Sequence, residues 1–97
     1  MNQRDALHYI ATQQEFKASA LRGSGNYSGT GRLDEEQTAK LAKDITSLNY
    51  IVYSYSTPIA WHTPEGWYVV SQKFSTTTSK HTNYVRRAVY PSVLVGA

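Results

Sequence analysis

The residues best suited to chemistry lie near the end of the chain, in the stretch FSTTTSKHTNYVRRA, Phe74 to Ala88. A run rich in hydroxyl groups ends at Ser79, and Lys80 and His81 follow it. Serine is a favoured helix N-cap, and the free N–H groups at a helix N-terminus attract phosphate, sulfate or carboxylate. The alternative is structural, because serine also caps ordinary helices and threonine is common where strands end.

The segment after Ser79 is also basic along one side. Lys80, Asn83 and Arg87 are separated by three and four residues, so they share one face of a helix. Two cations could contact phosphates and the amide could reach a base edge, although a solvated surface looks the same in sequence. The predicted nucleic-acid or anion-binding residues are Ser79, Lys80, Asn83, Arg86, Arg87 and Lys73.

Aromatic residues are crowded in the middle of the chain, where six of the twelve lie between positions 50 and 68. They either fill the core, stack on single-stranded nucleic acid beside cations, or anchor a protein partner. Strand alternation predicts that Ile51, Tyr53 and Tyr55 point inward, which leaves Tyr50 outward, and an inward Trp67 leaves Tyr68 outward. The predicted interface aromatics are Tyr50, Tyr68 and Trp61.

Catalysis has less support than binding. His8, His62 and His81 lack the spacing of metal ligands, and no nucleophile elbow is present, so we expect no metal, cofactor or enzyme activity. The best enzyme case is a small ribonuclease, with His81 assisted by a neighbouring cation (Lys80, Arg86 or Arg87) and a sheet tyrosine.

Composition fits one small domain of 97 residues without cysteine, as is usual in a reducing cytosol. The net charge of +3 lies entirely in the second half, where four cations face only Glu65 and no acidic residue follows it. An excess of this sign attracts polyanions. No apolar run is long enough to span a membrane, and the first residues are too polar for a signal peptide, so we expect a cytoplasmic protein.

Periodicity predicts the elements that must position these residues. A helix is expected near 3–14, a short strand within EFKASALRG, a loop from Gly23 to Gly31, and a second helix over 35–48. The last follows a capping-box pattern at Asp34 to Gln37 and ends before Asn49, a candidate left-handed terminator.

The remaining chain predicts a hairpin and a last helix. Alternation over 50–75 indicates two strands joined near Pro64 and Gly66. A helix over 80–90 would be capped by Ser79 and ended by Pro91, and the tail SVLVGA could add a final strand. The expected fold is α+β: a small antiparallel sheet built on the central hairpin, two N-terminal helices, a C-terminal helix packed on the sheet, and one core.

Two elements of the sequence resemble a small domain family of unknown function from actinobacteria and their phages. The first is Tyr-Ser-Tyr-x-Thr-x-Ile-Ala-Trp, at Tyr53 to Trp61, and the second is Ser-x-Thr-Thr-Ser-Lys-His with a following basic pair, at Ser75 to Arg87. EFKASALRG is similar too, so the resemblance covers most of the chain. It implies a phage or actinobacterial protein and supplies no activity.

We therefore expect a non-enzymatic binding module that contacts nucleic acid through its basic C-terminal helix. The alternative is a protein-interaction module that acts on a host protein through aromatic and arginine side chains.

Overall fold

The computed structural model describes residues 3–18, 20–70 and 76–89, with side chains from residue 5 onward and, in the last stretch, from residue 78. Five antiparallel strands form one sheet in sequential order β1-β2-β3-β4-β5, and three helices pack on it. The fold class α+β is confirmed. The elements are α1 (Gln3–Ala11), β1 (Phe16–Ala18), β2 (Leu21–Ser24), α2 (Glu35–Asp44), β3 (Tyr50–Ser54), β4 (Thr57–Thr63), β5 (Gly66–Val69) and α3 (Thr76–Val89).

The first helix is present but shorter than expected. Gln13 has a φ of 56°, and its N–H donates to the Ile10 carbonyl at 3.1 Å, which turns the chain out of the helix. The predicted helix over 3–14 therefore ends at Ala11. Among its described side chains, those of Ala6 and Ile10 are buried.

The predicted single strand in EFKASALRG is a hairpin of β1 and β2, with Phe16 opposite Gly23. Gly23 thus belongs to a strand and not to the glycine-rich loop. A side chain at Gly23 would overlap the Tyr50 ring, which crosses the sheet surface there. The glycine is explained by this close approach.

Helix α2 begins where the sequence predicts. The Asp34 carboxylate accepts a hydrogen bond from the Gln37 N–H at 2.9 Å, which is the expected cap. The helix ends at Asp44 and not at residue 48. Asn49 is absent from the described residues with positive φ, so it is not a left-handed terminator.

The predicted hairpin over 50–75 is, as far as the structure describes it, a three-stranded meander. The turn between β3 and β4 was not predicted, because its central residues are Tyr55 and Ser56 and not the glycine or asparagine that such turns favour. Both have positive φ, 51° and 70°. The second turn, at residues 64–65, matches the expected position.

Helix α3 begins at Thr76, before the predicted start at Lys80. Its buried stripe is formed by Thr78, Thr82, Val85 and Val89. The tail SVLVGA lies outside the described residues. Residues 71–75, the last part of the predicted hairpin, lie outside them too.

The core is divided between the two faces of the sheet, which corrects the expectation of a single core. On the α1/α3 side, Ile10 and Val85 pack with Tyr50, Val52 and other strand residues. On the α2 side, Leu41 packs with a separate group of strand residues, namely Ile51, Tyr53, Trp61, Tyr68 and Val70. Two of the three helices thus share one face. None of the described helices is long and apolar enough to cross a membrane.

Candidate nucleic-acid interface

Helix α3 carries a row of exposed polar side chains, which we call the cationic row: Lys80, Asn83 and Arg87. The buried stripe holds the opposite face of the helix against the rest of the fold. Lys80 and Arg87 lie about 10 Å apart along the helix axis, given a rise of 1.5 Å per residue. Within the described part of the chain these three side chains make no hydrogen bond or ion pair. The row is therefore open to a ligand.

Three other predicted binding residues do not join this row. Ser79 is the fourth residue of α3 and is half-buried, so the prediction that it caps the helix is wrong. Arg86 is half-buried, and its guanidinium donates to the Val70 carbonyl at 3.5 Å. Lys73 lies outside the described residues.

His81 is held against the sheet by a side-chain hydrogen bond. Its Nδ1 lies 2.7 Å from the Ser54 hydroxyl, and the Thr78 hydroxyl lies 3.3 Å from the same Ser54 oxygen. Burial, followed by the positive charge of Lys80, lowers the pKa of His81 below its ordinary value. The ring is thus fixed in orientation, and its surroundings favour the neutral form.

An exposed aromatic residue lies beside this histidine. Tyr55 is 59% exposed, and its ring stacks on His81 with centroids 6.2 Å apart and planes inclined by 27°. Tyr84, which is also on α3, lies beside His81, with ring centroids 6.1 Å apart and planes inclined by 46°. We call Tyr55, His81 and Tyr84 the aromatic ledge.

Tyr55 was not predicted to be a surface residue. Alternation along the predicted strand placed it inward with Tyr53. In the structure β3 ends at Ser54, so Tyr55 lies in the turn, where the rule of alternating sides no longer applies. A signal for the turn was present in the sequence, because a second run with strand character begins directly after Ser56. A turn between the two runs would have placed Tyr55 at the surface.

The three predicted interface aromatics are buried, which corrects that part of the sequence analysis. Tyr50 is 1% exposed, Trp61 0% and Tyr68 7%. Strand alternation placed Tyr50 and Tyr68 outward only on the assumption that one face of the sheet is solvated. Both faces of this sheet are covered by helices.

Each of these aromatic residues also has its polar atom satisfied inside the fold. The Tyr50 hydroxyl donates to the Gln14 carbonyl at 2.6 Å, and burial raises its pKa. The Trp61 indole donates to Asp44 at 2.8 Å, and the Tyr68 hydroxyl donates to Gln37 at 2.6 Å. Their role is structural.

Other polar regions match an anion less well. A shallow groove of about 390 Å³ lies between α2 and the β4–β5 turn, where Lys40 and Lys43 alternate with Asp44 and Glu65. Its charges are of both signs, so it attracts a polyanion weakly. Among the described residues, no cluster of three or more histidine, aspartate or glutamate side chains could hold a metal ion.

A family model for a family of unknown function (DUF8033) matches residues 7–88. The chain belongs to this family. The matched residues of DUF8033 span the β3–β4 turn and α3 as far as Ala88, so they include the aromatic ledge and the cationic row. No curated protein and no solved structure matches the chain.

The two motif elements that carry the resemblance meet at this site. Ser54 and Tyr55 belong to the first element, and His81 belongs to the second. The contacts of His81 with Ser54 and Tyr55 bridge residues 27 and 26 positions apart in sequence. The strand-turn motif and the Ser/Thr-Lys-His motif thus form one structural unit next to the cationic row.

Proposed function

We propose that this chain is a small non-enzymatic binding module that contacts nucleic acid through the cationic row of α3. The observation that carries the proposal is the exposure of Lys80, Asn83 and Arg87 on one helix face, with no ion pair to an acidic side chain among the described residues. The fold holds these cations at the surface without using them for its own stability. A surface of this kind is suited to a phosphate backbone.

Each side chain has a distinct role in the proposed complex. Lys80 and Arg87 bind phosphates about two helical turns apart, and the Arg87 guanidinium can donate two parallel hydrogen bonds to one phosphate. The Asn83 amide lies between them and can donate to and accept from a base edge. Charge supplies most of the affinity, and the amide adds a modest preference among bases.

The rival proposal is a module that binds a host protein through aromatic anchors. Its three predicted anchors are buried in the core. Tyr50, Trp61 and Tyr68 would have to leave buried positions with satisfied hydrogen bonds before a partner could touch them.

The resemblance supports a cytoplasmic setting in an actinobacterium, whether the gene is its own or that of a phage.

Fluorescence anisotropy with labelled DNA and RNA, single-stranded and duplex, tests the proposal. Two phosphate contacts predict that affinity falls about tenfold between roughly 50 and 200 mM salt. Lys80→Ala and Arg87→Ala should each weaken binding uniformly across sequences and lower the slope of log K on log salt by roughly one.

The matched control is Lys43→Ala, which removes an exposed lysine from α2 on the other side of the sheet. It should leave the salt slope unchanged. If Lys43→Ala weakens binding as much as Arg87→Ala does, the attraction is nonspecific and α3 is not the interface. Absence of binding at low salt rejects the function, and a host-protein pull-down becomes the next experiment.

The same samples separate binding from ribonuclease activity. The proposal predicts that labelled RNA stays intact through the titration. Cleavage that disappears in His81→Ala, while the variant keeps the circular dichroism spectrum of the parent, would replace the binding module with an enzyme.

A further inference from the structure

The turn between β3 and β4 holds a bulky side chain in a conformation that such residues rarely adopt. Tyr55 and Ser56 have φ values of 51° and 70°, the left-handed pattern that hairpin turns usually assign to asparagine and glycine. An observed outlier of this kind at a surface turn suggests a function for the residue that occupies it.

The Tyr55 ring contributes little to the folded core. It is 59% exposed and belongs to neither hydrophobic cluster, whereas Tyr50 and Tyr53 are almost fully buried. Its backbone N–H donates to the Ala20 carbonyl at 3.0 Å, a bond that any residue except proline can make. The turn needs the backbone of residue 55 and not its aromatic ring.

The ring is nevertheless held in a defined place. It stacks on His81, which is fixed by Ser54 on one side and contacted by Tyr84 on another. A ring already ordered in this way loses little conformational entropy when a flat ligand stacks on it.

The aromatic ledge runs next to the cationic row. Lys80 directly precedes His81, and Tyr84 lies four residues after Lys80 and three before Arg87, so that these side chains are neighbours on the surface of α3. Aromatic faces beside a line of cations are the pattern by which proteins bind single-stranded nucleic acid. A duplex keeps its base faces stacked on each other and offers only phosphates and base edges.

We propose that Tyr55 stacks on an unpaired base of single-stranded DNA or RNA whose phosphates lie along Lys80 and Arg87. This inference rests on the function proposed above and makes it specific, because it names the unpaired strand as the ligand and Tyr55 as the residue that selects it. His81 supports the ring from behind and Tyr84 extends the ledge toward Arg87.

The test compares three probes of equal length: an unpaired oligothymidylate or oligouridylate, the corresponding duplex, and an abasic strand that keeps the phosphates but lacks the bases. We expect Tyr55→Ala to weaken binding to the unpaired strand by at least about fivefold, the lower end for loss of one stacked base. Binding to the abasic strand and the duplex should stay unchanged.

Tyr55→Phe keeps a stacking face and should bind the unpaired strand like the parent protein. Asparagine fits the left-handed turn but carries no aromatic ring, so Tyr55→Asn should lose as much affinity as Tyr55→Ala. Equal losses would rule out distortion of the turn as the cause. Tyr27→Ala removes an exposed tyrosine from a loop attached to the α2 side through Ser28 and Tyr53, and it should have no effect.

The outcomes distinguish the two proposals. If Tyr55→Ala leaves the unpaired strand bound as before while Arg87→Ala weakens it, stacking is overturned and the phosphate-binding function stands. If the parent protein binds unpaired, duplex and abasic probes equally, the selection of single strands is overturned. If no probe binds, both proposals fail.

Discussion

The two sides of the sheet use similar residues for opposite purposes. On the α2 side, Lys40 pairs with Asp44 at 3.0 Å, and the same carboxylate accepts a hydrogen bond from the buried indole of Trp61. On the α1/α3 side, Lys80 and Arg87 have no such carboxylate within the described residues. Lys40 is thus neutralised by a neighbouring carboxylate, whereas Lys80 and Arg87 are exposed without such a partner among the described residues.

The polar bonds between helix and sheet differ in the same way. Gln37 of α2 binds the hydroxyl of Tyr68, whose ring is buried. His81 of α3 binds Ser54, and its ring then supports an exposed tyrosine. The first contact stabilises packing, while the second orients a surface residue. The number of aromatic residues or cations therefore says little about function until their partners are known.

The largest effect should follow from Trp61→Ala on the α2 side. Loss of a fully buried tryptophan typically costs about 3–5 kcal/mol, and it would also leave the Asp44 carboxylate without its indole donor. Urea denaturation followed by circular dichroism measures the change. Tyr55→Ala, a truncation of a ring of comparable size on the other side, should change stability by less than about 1 kcal/mol. Equal losses in the two variants would remove the distinction between core and surface aromatics.

A smaller effect of opposite sign is expected for Tyr55→Asn. Asparagine tolerates the left-handed region better than tyrosine, so relief of strain should offset or exceed the lost contact with His81, with a net gain of up to about 1 kcal/mol. The same variant should bind unpaired strands more weakly. Thermal unfolding and anisotropy on one preparation compare the two quantities. A variant that is clearly less stable would show that the ring supports the fold.

The smallest expected effect is a loss of folding stability at mildly acidic pH. Burial and Lys80 lower the pKa of His81, and burial lowers that of His62, so the unfolded chain binds protons more readily than the folded one. The stability from these neutral rings is complete above about pH 6.5 and falls as the pH drops below it. His81→Gln should flatten the decline between about pH 7 and 5 in urea denaturation, although part remains because of His62. An unchanged decline would mean that His81 is equally accessible to protons in both states.

Local patterns in the sequence were reliable where neighbouring residues decide the structure. The Asp34 cap and the start of α2 were correct, because a side-chain oxygen three residues from an N–H needs nothing beyond the helix itself. The spacing of Lys80, Asn83 and Arg87 placed them correctly on one exposed face. The start of α3 was wrong, because Ser79 fits a cap by type and equally fits a helix interior.

Only part of the candidate site could be predicted from the sequence, because only part of it depends on neighbouring residues. Its cations follow helical periodicity. Its ledge depends on a turn at Tyr55 and Ser56 without the usual turn residues, and on a contact between Ser54 and His81 that no local rule predicts.

The α+β class, the cap of α2 and the basic face of α3 could be read from the sequence, because they follow from the order of neighbouring residues. Which aromatic side chains reach the surface depends on how the helices pack on the sheet. Strand alternation divides residues between two faces but cannot tell whether the second face is covered. Here α2 covers it and buries Trp61 and Tyr68, while the β3–β4 turn brings Tyr55 onto the surface beside His81.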